Sequence, residues 1–97
     1  MIKRFTAIST DTNQPEILEG LRAIGVLVWY IGWPLDLLCA YRGVFYLLEV
    51  KMPGTKPSQK QKEVIILMEN CGCPVYVVYN LGDALRAIGA IGKTEVE

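Results

Sequence analysis

The chain has 97 residues, with ten basic and ten acidic side chains and a formal net charge of zero. That length holds one domain with one small core, and the neutral balance excludes a generic basic coat for nucleic acid. Hydrophobic residues make up 52% of the chain, which excludes disorder and exceeds what a monomer of this size needs to bury, so a homodimer is expected.

Residues 1–12 read as irregular or as a short edge strand through Phe5, Ala7 and Ile8. A helix is expected to start next: Asn13 can cap it, Pro15 suits the first turn, and Glu16 lies near the positive end of the dipole. Ile17, Leu18, Leu21 and Ile24 recur at helical spacing and should face the core, and Gly25 ends the helix. Residues 26–31 form an apolar strand with little alternation, expected to be covered on both faces or to lie in an interface. Gly32, Trp33 and Pro34 make a turn. Two strands follow, residues 35–41 and 45–51, with Arg42 and Gly43 between them as a hairpin turn. Residues 53–57 contain two prolines and a glycine and cannot continue a sheet.

Ser58 and Gln61 have the spacing of a capping box. The helix they open should run to about Asn70, with Val64, Ile65, Leu67 and Met68 on its apolar side and Gly72 as its stop. Residues 74–79 are a buried-type strand, expected to join the sheet by a crossover and run parallel to its partner. A last short helix covers residues 84–88, and the charged end, residues 93–97, is expected to fray. The order is helix, three strands, helix, strand, helix (αβββαβα), an α/β fold with helices around a mixed sheet.

The absence of histidine removes Ser–His–Asp and Cys–His pairs, histidine bases and histidine-bound metals. Carboxylates, lysine, tyrosine, cysteine or a bound metal must carry any catalysis. Cys39, Cys71 and Cys73 are expected to be free, buried or half-buried thiols in a reducing compartment, and without histidine they cannot close a four-ligand zinc site. No secretory leader is expected, since no long apolar segment follows Lys3 and Arg4. The longest uncharged stretch, residues 23–35, is short and broken by Gly25, Gly32 and Pro34, so no membrane helix is expected.

One juxtaposition carries chemistry. Glu49 and Lys51 are two apart in a strand and share a face. If the two hairpin strands pair, Asp36 comes near Glu49. Two carboxylates and an amine at the ends of neighbouring strands suit a hard divalent cation and a phosphate. Each residue also has a plain structural role: Glu49 with Lys51 as an ion pair, Asp36 as a turn residue, Glu16 as a first-turn charge, Gln61 as the capping partner. Lys51, Lys56, Lys60 and Lys62 cluster in sequence and read either as a solvated surface or as a phosphate-attracting patch.

Asp36 followed by Glu49-Val50-Lys51 resembles the signature of the PD-(D/E)XK nuclease superfamily. The wider context resembles its VRR-NUC branch of small stand-alone phage and prophage nucleases: Asn13-Gln14-Pro15-Glu16-Ile17, then Gly32-Trp33-Pro34-Leu35-Asp36-Leu37-Leu38, Tyr41-Arg42-Gly43, Leu48-Glu49-Val50-Lys51 and Ser58-Gln59-Lys60-Gln61. The resemblance covers residues 11–91 of a single domain, 1–97. One departure is Leu35, which stands between the proline and the aspartate that the family usually joins directly.

The resemblance implies a restriction-endonuclease-like core and a DNA endonuclease dependent on Mg²⁺ or Mn²⁺. Asp36, Glu49 and the Val50 carbonyl would bind the metal, with Glu16 a further candidate. Lys51 would orient the attacking water or offset phosphate charge. Gln61 would support the site from its helix, with Gln14 a weaker candidate for the same neighbourhood, and Lys56, Lys60 and Lys62 would contact DNA. It further implies a homodimer acting on branched DNA such as a Holliday junction, in the cytoplasm of a bacterial or phage-infected cell, with no membrane. The alternative is a nuclease-fold module that binds DNA or protein without cutting and needs a partner.

Overall fold

The structure is a computed structural model that describes residues 12–92. The expected N-terminal edge strand and the charged C-terminal end therefore lie outside the described residues. The elements are α1 (Gln14–Ala23), β1 (Leu27–Tyr30), β2 (Leu37–Tyr41), β3 (Val44–Val50), α2 (Gln59–Asn70), β4 (Val75–Val78) and α3 (Leu81–Ala87). The expected order of helices and strands is the observed one, with each boundary moved by a few residues.

The four strands lie in sequence order in one sheet. β1 and β3 each pair antiparallel with β2, and β4 joins β3 in parallel after the α2 crossover. Arg42 and Gly43 close the β2–β3 hairpin with positive φ at both positions, 52° and 83°. This is the backbone twist that two-residue hairpin loops require.

Cross-strand partners share a face. Val28 and Cys39 are partners, as are Leu37 and Leu48, and Val50 and Val78. These six residues define the first face, buried against Ile17 and Leu21 of α1, Ala84 of α3 and Ile88 just beyond it. Full burial of each large aliphatic side chain is worth roughly 1.5–3 kcal/mol, so this layer holds the domain together. Gly20 lets α1 approach α3 closely, since a Cβ there would collide with the Leu81 side chain.

Among the described residues, the second face carries only α2, which packs on β4. The expectations fail here in a consistent direction. β4 was expected to be buried, yet only Val78 is. α2 has no fully buried residue, and Leu67, expected on its apolar side, is 65% exposed. In β1, Leu27 and Trp29 are exposed while Val28 is buried, because β1 is an edge strand covered on one face only. Ile24, expected in the core, is also exposed, since α1 ends one residue earlier at Ala23.

Candidate functional site

The site forms where β2 begins and β3 ends. The backbone N–H groups of Ile31 and Gly32 donate to the Asp36 carbonyl at 2.8 and 3.3 Å, closing the loop between β1 and β2. Leu35 is completely buried in that loop. Leu35 thus serves as an apolar anchor, and Asp36 follows it directly.

Asp36 and Glu49 lock onto each other's strands. The Asp36 N–H donates to Glu49 Oε1 at 3.2 Å, and the Val50 N–H donates to Asp36 Oδ2 at 2.9 Å. Lys51 N–H donates to the Val78 carbonyl on β4. Backbone groups alternate sides along a strand, so the Val50 carbonyl turns, like its N–H, toward Asp36.

Glu49 is 1% exposed. Its Oε2 accepts from Gln61 Nε2 at 2.8 Å and forms an ion pair with Lys51 Nζ at 3.2 Å. Burial, and then the Asp36 charge, raise the Glu49 pKa above its ordinary value, against the lowering effect of Gln61 and Lys51. The Lys51 ammonium thus meets the Glu49 carboxylate, and the hard oxygen donors of Asp36, Glu49 and Val50 fit Mg²⁺ or Mn²⁺.

The structure gathers four of the five expected catalytic residues: Asp36, Glu49, Lys51 and Gln61. Glu16 is not among them. It is exposed, and no group of three or more His, Cys, Asp or Glu able to hold a metal occurs among the described residues. The reason is helical phase: Gln14, Ile17 and Leu21 take the buried face of α1, which turns Glu16 outward. A metal here would have two carboxylates and keep several waters. Gln14, buried at 3% exposure, is the first-turn residue that α1 turns inward. Lys56, Lys60 and Lys62 are all exposed at the entry to α2 and along its first turn.

Two residues of this neighbourhood take roles that the sequence did not assign: Asn13, expected as a helix cap, and Tyr30. Asn13 does not cap α1 with its side chain. Its Nδ2 donates instead to the carbonyls of Lys51 and Tyr79, at 3.1 and 2.8 Å, and its buried Oδ1 has no partner among the described residues. Asn13 therefore fastens the start of α1 to the chain at Lys51. Tyr30, at the end of β1, feels both carboxylates: burial first, then Asp36 and Glu49, raise its pKa above the ordinary value. Gly32 makes room for the Tyr30 ring, since a Cβ there would stand 3.3 Å from its hydroxyl oxygen. No pattern in the sequence signals either role, because both depend on contacts across the fold.

The thiols differ from one another. Cys39 is buried in the sheet, whereas Cys71 and Cys73 are exposed, contrary to the expectation of burial for all three. They follow the end of α2, where the chain turns at Gly72 with φ 87°. A pocket of about 590 Å³ follows β4 and is lined partly by Tyr79, Asp83 and Arg86; Asp36 and Glu49 are not among its lining residues. No helix among the described residues is long and apolar enough to cross a membrane.

No family model, curated protein or solved structure matches this chain.

Proposed function

We propose that this chain is a metal-dependent DNA endonuclease with Asp36, Glu49, Lys51 and Gln61 as its site. The observation that carries the reading is the pair of carboxylates on adjacent strands, joined by the 3.2 Å bond from Asp36 N–H to Glu49 Oε1, with Lys51 at 3.2 Å.

Bound Mg²⁺ or Mn²⁺ supplies Lewis-acid polarisation of the scissile phosphate and a more acidic water. Asp36 and Glu49 would hold the ion with the Val50 carbonyl. Gln61 keeps the Glu49 carboxylate oriented, and Asn13 holds the Lys51 main chain. The Lys51 ammonium would meet the charge that develops on the phosphate oxygens. Lys56, Lys60 and Lys62 would draw in backbone phosphates, a contribution that weakens with salt. Such contacts position DNA without reading sequence, so the substrate is recognised by shape, as a branched structure such as a four-way junction, by a homodimer that carries two sites.

A second reading, a nuclease-fold module that binds without cutting, is favoured by one observation: both Glu49 oxygens already have partners within the protein. A cleavage assay separates the two. Purified protein is given labelled four-way junction, flap, single-stranded and duplex DNA with Mg²⁺, Mn²⁺ or EDTA, beside Glu49→Ala and Lys51→Ala. The endonuclease reading expects metal-dependent cutting that both substitutions abolish. Binding without cutting under every metal condition would replace it with the second reading.

A further inference from the structure

The Cys71-Gly72-Cys73 stretch takes no part in the proposed site, and packing does not account for it. Cysteine is among the residue types most often buried. Cys39 follows that rule, whereas Cys71 and Cys73 are both exposed. They do not lie on a loose tail. The Cys71 N–H donates to the Leu67 and Met68 carbonyls at 3.2 and 3.0 Å, the Gly72 N–H to Glu69 at 3.0 Å and the Cys73 N–H to Met68 at 2.9 Å. These bonds close the end of α2 as a left-handed cap, with Gly72 at φ 87°.

The cap fixes the spacing of the two thiols. Successive Cα atoms stand about 3.8 Å apart, so a bend at the middle residue brings residues two apart to about 5–6 Å. A disulfide spans roughly 4.4–6.8 Å between Cα atoms. A Cβ at Gly72 would meet no atom of the described residues within 4 Å, so the turn between the cysteines is open. Cys73 also borders a groove of about 360 Å³, shared with Leu38, Phe45, Leu47, Gly72 and Pro74. The groove gives an incoming sulfur room to approach Cys73, and Cys71 is not among its lining residues.

We propose that Cys71 and Cys73 form a thiol–disulfide exchange site for low-molecular-weight disulfides of the glutathione type, with Cys73 attacking and Cys71 resolving. The Cys73 thiolate attacks one sulfur of the disulfide RS–SR. A Cys73–SR bond forms, the RS–SR bond breaks, and one RS⁻ leaves. The Cys71 thiolate then attacks the Cys73 sulfur, forming the Cys71–Cys73 bond and releasing the second RS⁻. Two electrons pass from the protein thiols to RS–SR, and the two thiol protons end on two RSH. The second step is favoured because a short tether holds Cys71 at an effective concentration on the order of millimolar or above. Exposed disulfides are the labile ones, so excess reduced thiol returns the pair to the dithiol. Cys39, buried in the core, takes no part. The inference is independent of the nuclease reading, and its test uses neither DNA nor metal.

The test is intact-protein and peptide mass spectrometry after millimolar oxidised glutathione is added to the reduced full chain, without air and with EDTA. Wild type is expected to lose two hydrogens through a Cys71–Cys73 bond and to hold little adduct. Excess reduced glutathione is expected to restore both thiols. Cys71→Ser is expected to hold one glutathione on Cys73, at least tenfold more than wild type at the same time. Cys71→Ala takes its place if the serine variant is not folded by circular dichroism. Wild type that gathers adducts on both cysteines without the internal bond would overturn the proposal. So would a pair that stays reduced, a disulfide between chains in place of the internal one, or a folded Cys71 variant with no adduct on Cys73.

Discussion

Gln61 joins its helix to Glu49 with the two ends of one amide. Its Oε1 accepts from the Ser58 N–H at 3.1 Å, completing the capping box, and its Nε2 donates to Glu49 Oε2 at 2.8 Å. The start of α2 and the end of β3 are thereby held in one geometry. The residue that reads from sequence as a cap is also the support of the buried acid.

These two bonds can be separated by substitution. Gln61→Glu keeps an acceptor for Ser58 but sets a second carboxylate against Glu49, whereas Gln61→Ala loses both contacts. Gln61→Ala is expected to cost about 1–2 kcal/mol, combining a lost cap with a lost hydrogen bond to a charged group. Both variants are expected to lose at least tenfold in cleavage rate, because each leaves Glu49 unsupported. Thermal unfolding and single-turnover cleavage on the same preparations check this.

Glu49 sets the sign of a pH dependence. Its pKa is raised in the folded protein, so the folded state takes up its proton more readily than the unfolded chain. That contribution to stability is fully present below the unfolded pKa and is lost as pH rises through the folded pKa. Once ionised, Glu49 therefore destabilises the fold relative to its protonated form. Glu49→Gln is expected to raise Tm at pH 7 to 8 by a few degrees, the scale of about 1 kcal/mol in a domain of this size. The gain over wild type should shrink as pH falls toward 4. Melting curves from pH 4 to 8 measure it, and a variant less stable than wild type at pH 8 would contradict this account of the buried charge.

The cysteines give a prediction independent of function. Burial pushes the Cys39 thiol up to about 11, and the residue has no exposed surface. Cys71 and Cys73 are exposed. A thiol-reactive chromophore should therefore label two groups quickly in the native protein and the third only on unfolding. Because the thiolate is the reactive form, Cys39 should stay unlabelled at pH 8. Mass spectrometry of the labelled peptides identifies which thiol was protected.

What the sequence made legible follows from local chemistry. The Ser58–Gln61 capping box and the Arg42-Gly43 turn depend on a few adjacent residues, and both appear where expected. The meeting of Asp36 with Glu49 was legible because a two-residue hairpin fixes the register of β2 on β3. Glu16 stays exposed because the pattern of α1 leaves it beside the buried stripe rather than on it. Gln14, Ile17 and Leu21 define that stripe, and the phase of one helix turn decides which first-turn residue points inward. Asn13 read as a cap because its local context allows one. Its actual partners, Lys51 and Tyr79, are 38 and 66 residues away and left no local trace. The exposure of Leu27, Trp29 and Phe45 was hidden for a different reason: an apolar strand reads the same whether a helix, a second copy or nothing covers its outer face.

The central claim is that Asp36 and Glu49 together hold a divalent cation. Calorimetric titration of Mn²⁺ into wild type, Asp36→Asn and Glu49→Gln, each shown to be folded, tests it directly. The account predicts one site per chain in wild type, with affinity at least tenfold weaker in each variant. Unchanged Mn²⁺ affinity in both variants, or no binding by folded wild type at millimolar Mn²⁺, would contradict it.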